Sequence, residues 1–367
     1  MPETSEQRAL RSAVRGLLAG GPPGSADSAR VWARLATEIG VAGLAIPDRF
    51  GGAGAGPAEV HVVQEELGRQ LAGTPMLGSA VLATHLLLES GDEEACARLL
   101  PGLADGSEIA AVAWTTARGR WDPAEVACQA TAGQDTWLAD GEAHFVLDAT
   151  EASVLLVPAR VPGGIGLLEI RPGGPAVTIT ERTTMDQTRP LATVGFAGAV
   201  GTRIGGTRIG GTGIGGHAAL ASARDLAVIA LAAEQAGAAA RGLELTVGYT
   251  KTRVQFGRPI GGFQALQHRM ADLYVLVQSA TSLARAAAEA AARREPGLPL
   301  RAAAAKAYCS EALSEVAAEM IQLHGAIAMT WEHEAHRFFK RAHGAAWLLG
   351  APGAHVERIA AAVIDGQ

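Results

Sequence analysis

The chain has 367 residues, of which 48% are hydrophobic and only 4% aromatic, and its formal net charge is -6. This length exceeds one ordinary domain, so two or three packed units are expected. The apolar content is rich in Ala and Leu, which favours helix bundles over sandwiches. Because the charge is spread along the chain without a basic block, nucleic acid is a poor candidate for a partner.

The N-terminal sequence and the hydropathy pattern bear on where in the cell the protein is expected. Residues Met1 to Glu6 are polar and acidic, unlike a secretory signal. The apolar run from Leu226 to Ala233 is far shorter than the roughly 18 residues of a membrane span. We therefore expect a cytoplasmic protein that does not enter a membrane.

The cysteines and histidines give little support to a metal site. The three cysteines lie far apart without CxxC spacing, so neither a disulfide framework nor a zinc site is expected. The C-terminal histidines do not form the HExxH zinc motif. These residues are Cys96, Cys128, Cys309, His324, His333 and His336.

The first hundred or so residues predict helices joined by Gly/Pro turns. Apolar residues recur there at helical spacing in four stretches. The stretches are Ala9 to Leu18, Val31 to Ile39, Val60 to Leu71 and Val81 to Leu88. We place this helical domain at residues 1–106.

From about Glu108 the pattern changes to short β-type runs separated by Gly, Asp and Pro clusters. This pattern predicts a small antiparallel β domain over residues 107–200. The runs are Ile109 to Trp114, Ala143 to Val146, Val154 to Val157, Ile165 to Ile170, Val177 to Thr180 and Leu191 to Phe196.

A Gly-rich repeat follows at residues 201–216 and contains a GxGxxG match at Gly211, Gly213 and Gly216. This pattern can bring a backbone close to a pyrophosphate, but a dinucleotide-binding unit also requires a following βαβ strand. Here a helix follows, so we interpret the repeat as a flexible linker. Residues 217–367 show long helical patterns that predict a C-terminal bundle.

Two segments of the C-terminal part carry a resemblance to a known family. The first reads RVQFGRPI from Arg253 and continues as FQALQH from Phe263. The second reads QLHGA from Gln322, followed by WEHEAH from Trp331. In this order they resemble the C-terminal signature of the acyl-CoA dehydrogenases, and the likeness extends over nearly the whole chain.

The resemblance implies an α+β architecture, the acyl-CoA dehydrogenase fold. Its parts are an N-terminal helical domain, a middle antiparallel β domain and a C-terminal four-helix-bundle domain. It further implies FAD as cofactor and an acyl-CoA or acyl-carrier-protein substrate. The expected assembly is a homo- or hetero-oligomer, either a dimer or a tetramer.

The resemblance also implies which residues contact the FAD, partly across a subunit boundary. These matching residues are Arg253, Phe256, Gln264, Gln322 and Gly325. A guanidinium fork suits the two charges of a pyrophosphate. Two alternatives stay open: Arg253 can form a surface salt bridge, and Phe256 with Gly257 can end a helix.

The β domain departs from the family at the turn beside the flavin, where a Thr-Glu-Pro sequence often stands. Here Thr115 retains a hydroxyl that can bond the flavin, whereas Thr116 and Ala117 replace the acid and the proline. Thr115 therefore completes the predicted cofactor site.

The catalytic glutamate of the family has no counterpart at either of its usual positions. Dehydrogenation needs a base because the α-carbon of a thioester is weakly acidic. Counting along the motifs gives Leu349 and Ala227 at those positions. Asp225 is a weak candidate for a substitute, and Glu234 is expected to form a buried or interfacial ion pair.

Three functions are compatible with this sequence. The first is a flavin-dependent α,β-dehydrogenase of acyl thioesters whose partner subunit supplies the base. The second is a flavin monooxygenase of the same fold, which needs no α-proton abstraction. The third is a non-catalytic subunit of a heteromeric dehydrogenase.

Overall fold

The computed structural model describes residues 3–24, 27–133, 136–205 and 215–364. Its elements follow the order helical, β, helical, as the sequence predicts. Gly211 and Gly213 of the GxGxxG match lie outside the described residues. The last strand runs to Ile204 and the next helix begins at Gly215, so regular structure enters the range predicted as a linker from both sides.

The N-terminal part is helical, and its helices are α1 (Ser5–Leu18), α2 (Ser28–Arg34), α3 (Pro57–Arg69), α4 (Thr84–Glu89) and α5 (Glu93–Ala104). Helices α1, α2 and α5 begin at capping side chains. Thr4 and Gln7 form a capping box at the start of α1, and Asp92 caps α5. A π-helical segment, Met76–Ala83, leads directly into α4. Helix α5 was not expected from the periodic stretches.

The middle part is a seven-stranded sheet that is mixed, which corrects the prediction of an antiparallel domain. The strands are β1 (Ala110–Val112), β2 (Cys128–Ala132), β3 (Trp137–Leu147), β4 (Val154–Val161), β5 (Gly164–Ile170), β6 (Val177–Arg182) and β7 (Leu191–Ile204). Strands β1 and β2 pair in parallel with β4, whereas the other pairs are antiparallel. Parallel pairing became possible because the chain between β1 and β4 is long enough to cross over.

The C-terminal part consists of long helices and one short hairpin. The helices are α6 (Gly215–Thr252), α7 (Gln264–Ala292), α8 (Leu298–His324), α9 (Ala335–Trp347) and α10 (Pro352–Ile364), and the hairpin strands are β8 (Val254–Gln255) and β9 (Arg258–Pro259). Helices α6, α7 and α8 pack on one another, and α9 and α10 pack on α8.

Helix α6 is the central element of the molecule. Over Gly216–Thr252 it is long and apolar enough to cross a membrane by composition, yet 83% of its most apolar window is buried inside the protein. It is therefore a core helix. One apolar cluster joins it to the N-terminal helices and to the β domain, through residues such as Leu87, Trp114 and Ala227.

Candidate functional site

A cleft of about 240 Å³ opens between the β domain and the C-terminal end of α9. Its walls are mainly apolar and aromatic. The lining residues are Arg118, Gly119, Trp121, Phe145, Leu191, Gly344, Trp347 and Leu348. Trp121 is buried and stacks edge-on against Trp114, whereas Phe145 and Trp347 are exposed to solvent in the cleft. Such a concave aromatic surface suits a planar ligand.

Thr115 holds the β-domain wall of the cleft in shape. Its hydroxyl donates to the carbonyl of His144 (2.6 Å), and the His144 N–H donates to the carbonyl of Thr115 (2.8 Å). These bonds lie at a bulge of β3, between Ala143 and Val146, where Phe145 has a φ of 55°. A non-glycine residue in this region is strained. The bulge turns the Phe145 ring towards the cleft.

The opposite wall ends in the loop that carries Leu349. The φ of Leu349 is 59° and that of Gly350 is 106°, so the chain turns sharply after α9. Burial lowers the pKa of His355 to about 4, so the ring is neutral near pH 7. Its Nε2–H donates to the Leu349 carbonyl (3.0 Å). The side chains of Leu349 and Ala227 are both buried in the same apolar cluster. Both counted positions are thus buried, and both carry hydrocarbon side chains.

Asp225, the weak candidate for a substitute base, is buried and bound to two arginines. Its Oδ1 accepts from Arg224 Nε (3.1 Å) and from Arg358 Nη2 (3.1 Å), and its Oδ2 also lies 3.3 Å from Arg358. The cleft-lining residues do not include it. A carboxylate engaged in this way is poorly placed to take a substrate proton.

Glu234 forms the buried ion pair that the sequence predicts. Its Oε1 accepts from Arg341 Nη1 at 2.7 Å, and Arg189 pairs with its other oxygen. Burial by itself raises the pKa of this carboxyl, but the two guanidiniums outweigh burial and the pKa is lowered. Glu234 is therefore a structural charge.

Five of the predicted cofactor residues lie at the other end of the C-terminal part. Arg253 follows α6 and precedes the β8–β9 hairpin, whose two-residue turn is Phe256 and Gly257 with φ values of 53° and 77°. The alternative of a helix stop is therefore wrong, because α6 ends at Thr252 and a hairpin turn needs two positive φ values. The Phe256 ring is 92% exposed.

Arg253 is exposed, and among the described residues no carboxylate lies in ion-pair range of it. The alternative, in which Arg253 forms a surface salt bridge, therefore has no acidic partner among the described residues. Gln264, the first residue of α7, is exposed beside the same hairpin. The guanidinium fork is available to an anion.

Gln322 and Gly325 lie near this hairpin because Tyr249 connects the two segments. The Tyr249 ring stacks on His324 with centroids 4.3 Å apart, and the Arg253 N–H donates to the Tyr249 carbonyl. Gly325 has a φ of 69° and caps α8. All five predicted residues thus share one exposed end of the helical part.

The two groups of predicted residues lie at opposite ends of α9. The start of α9 lies beside His333, whose ring is 4.7 Å from that of His324, whereas Trp347 at its end lines the cleft. Its 13 residues span about 20 Å at 1.5 Å per residue. The structure therefore separates Thr115 from the Arg253 group.

Three residues of the cleft escaped the sequence analysis: Trp121, Phe145 and Trp347. Phe145 lies in a run that reads as an ordinary strand, because a bulge depends on the pairing of β3 with β7. Trp347 was detectable, since it stands two residues before Leu349, and a large aromatic residue beside a counted catalytic position is a usable signal. The structure leaves its ring 64% exposed at the end of α9.

The three-part fold and its aromatic interdomain cleft define a flavoprotein oxidoreductase architecture. The sequence pattern described as "Acyl-CoA dehydrogenase, N-terminal domain" matches residues 4–107, and "Acyl-CoA dehydrogenase, C-terminal domain" matches residues 216–364. The chain belongs to the acyl-CoA dehydrogenase family, which confirms the resemblance and the fold class.

Relatives and solved structures agree with this assignment. Acyl-CoA dehydrogenase IpdE2 of Mycolicibacterium smegmatis is 38% identical over 91% of this chain and 88% of its own length. The Tcur3481-Tcur3483 steroid ACAD superposes with a TM-score of 0.85 at 29% identity, covering 98% of both chains. The ChsE4-ChsE5 complex of Mycobacterium tuberculosis gives a TM-score of 0.86 at 26% identity, covering 99% and 98%.

Members of this family typically bind FAD, and the cleft fits a flavin ring system. Its walls present aromatic faces at Phe145, Trp121 and Trp347, which can stack on a planar heterocycle. Gly119 leaves the space beside Phe145 open, since a Cβ there would lie 3.3 Å from the ring. The unpaired Arg253 suits the pyrophosphate. The residues of this chain are therefore compatible with the cofactor.

Proposed function

We propose that this chain is one subunit of a heteromeric FAD-dependent acyl-CoA dehydrogenase whose partner subunit supplies the catalytic base. The observation that carries the proposal is the burial of Leu349 and Ala227 in one apolar cluster. No proton can be taken by hydrocarbon side chains, and Asp225 is held by two arginines. In this proposal the base comes from another chain.

The proposed reaction is the α,β-dehydrogenation of an acyl thioester, in which a bound FAD would supply the acceptor for the β-hydrogen leaving as a hydride. The residues of this chain provide the walls of the cleft: Trp121, Phe145 and Trp347 exclude water and present flat faces to the ring system. Arg253, with Phe256, Gln264, Gln322 and Gly325, would hold the cofactor, and the buried Thr115 would support the cleft wall beside its ring through the bond to the His144 carbonyl.

The separation of the two residue groups supports a site shared between subunits. Thr115 and Arg253 lie near opposite ends of α9, and the Phe256 ring at the turn of its hairpin is 92% exposed. Covering this ring with a partner subunit would be favourable, because it removes apolar surface from water. Two similar structures, Tcur3481-Tcur3483 and ChsE4-ChsE5, are each named for two components, which agrees with a heteromeric assembly.

The structural comparison gives the first acyl-CoA substrates to assay. One structural relative is described as a steroid ACAD, so a steroid-derived acyl-CoA is the first thioester to test. A short straight-chain acyl-CoA serves as the comparison. Both carry the same CoA group, so a difference in rate reports on the acyl portion.

Co-expression tests the assembly. The chain is produced alone and together with a second acyl-CoA dehydrogenase subunit from the same source, and the flavin per chain is measured after purification. We expect a flavin-poor product from the chain alone and a flavin-containing hetero-oligomer from co-expression. Arg253→Lys should lower the flavin content of the complex, because an ammonium lacks the fork. Arg269→Lys, at an exposed arginine that pairs with Glu319, is the control.

Other outcomes identify the alternatives. Full dehydrogenase activity of a purified homo-oligomer would contradict the need for a partner. A flavin-free complex with an active partner would indicate a non-catalytic subunit. Oxygen-dependent hydroxylation with supplied reduced flavin would indicate the monooxygenase.

A further inference from the structure

Four charged side chains from separate parts of the chain meet in a buried cluster, here called the interdomain quartet. Asp186 and Arg189 come from the segment between β6 and β7, Glu234 from α6 and Arg341 from α9. Two carboxylates face two guanidiniums, so the formal charges cancel. Arg341 is completely buried. Buried charges of this kind are tolerated only when they are paired.

Arg341 uses both edges of its guanidinium. Its Nε donates to Asp186 Oδ2 at 2.8 Å and its Nη1 to Glu234 Oε1 at 2.7 Å. Its Nη2 donates to the Leu71 carbonyl at 3.2 Å and to the Thr188 hydroxyl at 2.6 Å. One side chain on α9 therefore binds the N-terminal part, the β domain and α6. The single ammonium group of a lysine cannot donate to all of these acceptors at the same time.

The quartet lies directly behind both walls of the cleft. On the β-domain side, Leu191 of the cleft follows Arg189 in the same segment. On the helical side, Gly344 of the cleft lies one turn after Arg341. A Cβ on Gly344 would lie 3.3 Å from the Asp186 Cβ, so α9 and this segment are in close contact. The same two elements carry the quartet and the cleft.

We propose that Arg341 is a positioning residue that fixes the distance between α9 and the β domain, and hence the width of the cleft. A displacement of α9 would leave a buried guanidinium or carboxylate unpaired, which is strongly unfavourable. The relevance to flavin binding rests on the proposed function. The mechanical role does not, because it concerns contacts within this chain.

The test compares Arg341→Lys with Arg337→Lys. Arg337 is an arginine of the same helix that donates to the Pro23 carbonyl at 2.9 Å, and it forms no ion pair with Asp186 or Glu234, the two acids of the quartet. Hydrogen exchange is followed in the full-length chain. For Arg341→Lys we expect exchange faster by about tenfold in peptides covering both 186–191 and 344–349. For Arg337→Lys those peptides should exchange as in the wild type.

A milder variant keeps the test informative if Arg341→Lys does not fold. Thr188→Val removes the hydroxyl that Arg341 binds and leaves all four charges, so it should produce a smaller change in the same two segments. In the flavin-containing complex, Arg341→Lys should also raise the Kd for FAD, measured by flavin fluorescence.

The proposal is overturned if Arg341→Lys and Arg337→Lys give equal exchange, or if faster exchange spreads evenly over the chain. A normal FAD Kd for Arg341→Lys beside faster exchange in both segments would overturn the link between the quartet and cofactor binding. A wild-type complex without flavin would instead contradict the proposed function and leave the exchange result standing.

Discussion

At the scale of single residues, Asp148 is an acid whose surroundings favour its neutral form. It follows β3 with a φ of 59°, and its Oδ2 is buried without a hydrogen-bond partner in the described part of the chain. Burial, together with the nearby Glu151 carboxylate, raises the pKa of Asp148 to about 7. An aspartate tolerates the left-handed backbone that this position needs.

We expect the Asp148→Asn variant to gain thermal stability, by an amount that depends on pH. Since the folded-state pKa lies above the ordinary value, the protonated side chain stabilises the fold at low pH, and this stability is lost as the pH rises from about 4 to about 7. Asn keeps the shape without the charge. The midpoint of thermal unfolding should therefore rise relative to the wild type at pH 8 and much less at pH 4.

A matched control for this prediction is Asp140→Asn on the same strand. The Asp140 carboxylate accepts the N–H of Gly198 at 2.8 Å, so the variant should bring no gain at pH 8. An equal change for both variants at both pH values would contradict the assigned environment of Asp148.

Individual residues differ in how far the sequence reveals them. The positions of Leu349 and Ala227 follow from counting along motifs, and the structure buries both in one cluster. The pairing of Glu234 was predicted, but its partners Arg341 and Arg189 were not. They lie more than forty positions away in the chain, and no local pattern encodes such a contact.

At the scale of elements, α3 and α6 pack with their backbones in contact at two glycines. A Cβ on Gly68 would lie 2.0 Å from the Glu234 carbonyl oxygen, and a Cβ on Gly237 would lie 2.0 Å from the Glu65 carbonyl oxygen. The contact is reciprocal, since each helix contributes a glycine and a carbonyl. Only glycine permits this approach.

Gly68→Ala should therefore separate the two helices and destabilise the chain by about 3 kcal/mol, the upper end of the usual cost of overpacking. The control is Gly248→Ala on α6, where a Cβ meets nothing within 4 Å. That variant should be neutral or stabilising, because Ala favours a helix over Gly. Calorimetric unfolding of both variants measures the difference, and equal midpoints would exclude the close packing.

For the β8–β9 hairpin, in contrast to the α3–α6 contact, we expect a substitution to change flavin binding and not stability. Phe256 is 92% exposed, so Phe256→Ala should leave the thermal midpoint of the isolated chain unchanged. In the assembled complex the same variant should lower the flavin content, because the ring is proposed to contact the cofactor across the subunit boundary. Phe338→Ala, at a fully buried ring, serves as the comparison and should cost about 4 kcal/mol. A large loss of stability from Phe256→Ala would contradict the exposed hairpin.

Elements with a regular period were predicted better than those defined by pairing. The long C-terminal helices follow from apolar spacing, and Pro299 stands in the first turn of α8 as its fixed φ favours. The parallel partners of β4 could not be predicted, since strand direction depends on contacts between distant segments. The hairpin turn at Phe256 and Gly257 was not predicted either, and a helix end stood there as one alternative because a Gly after a helical run commonly ends a helix.

At the scale of the whole molecule, the order helical, β, helical was predictable from the change of period along the sequence. The cleft was not, because its walls come from the β domain and from α9, which lie far apart in the chain. Motif matching identified the exposed end of the C-terminal part, but only the structure shows that Thr115 lies apart from it. The proposal of a site completed by a second subunit therefore depends on positions that only the folded chain defines.

The proposed function requires that this chain contributes to a flavin site without supplying a base. The sharpest test is anaerobic mixing with an acyl-CoA, followed through the flavin absorbance, for the chain alone with FAD added and for the co-expressed complex. We expect bleaching of the flavin only in the complex, and its loss when the partner's catalytic carboxylate is changed to the amide. Rapid bleaching with the chain alone would show that a base is present within these 367 residues and would overturn the proposed function.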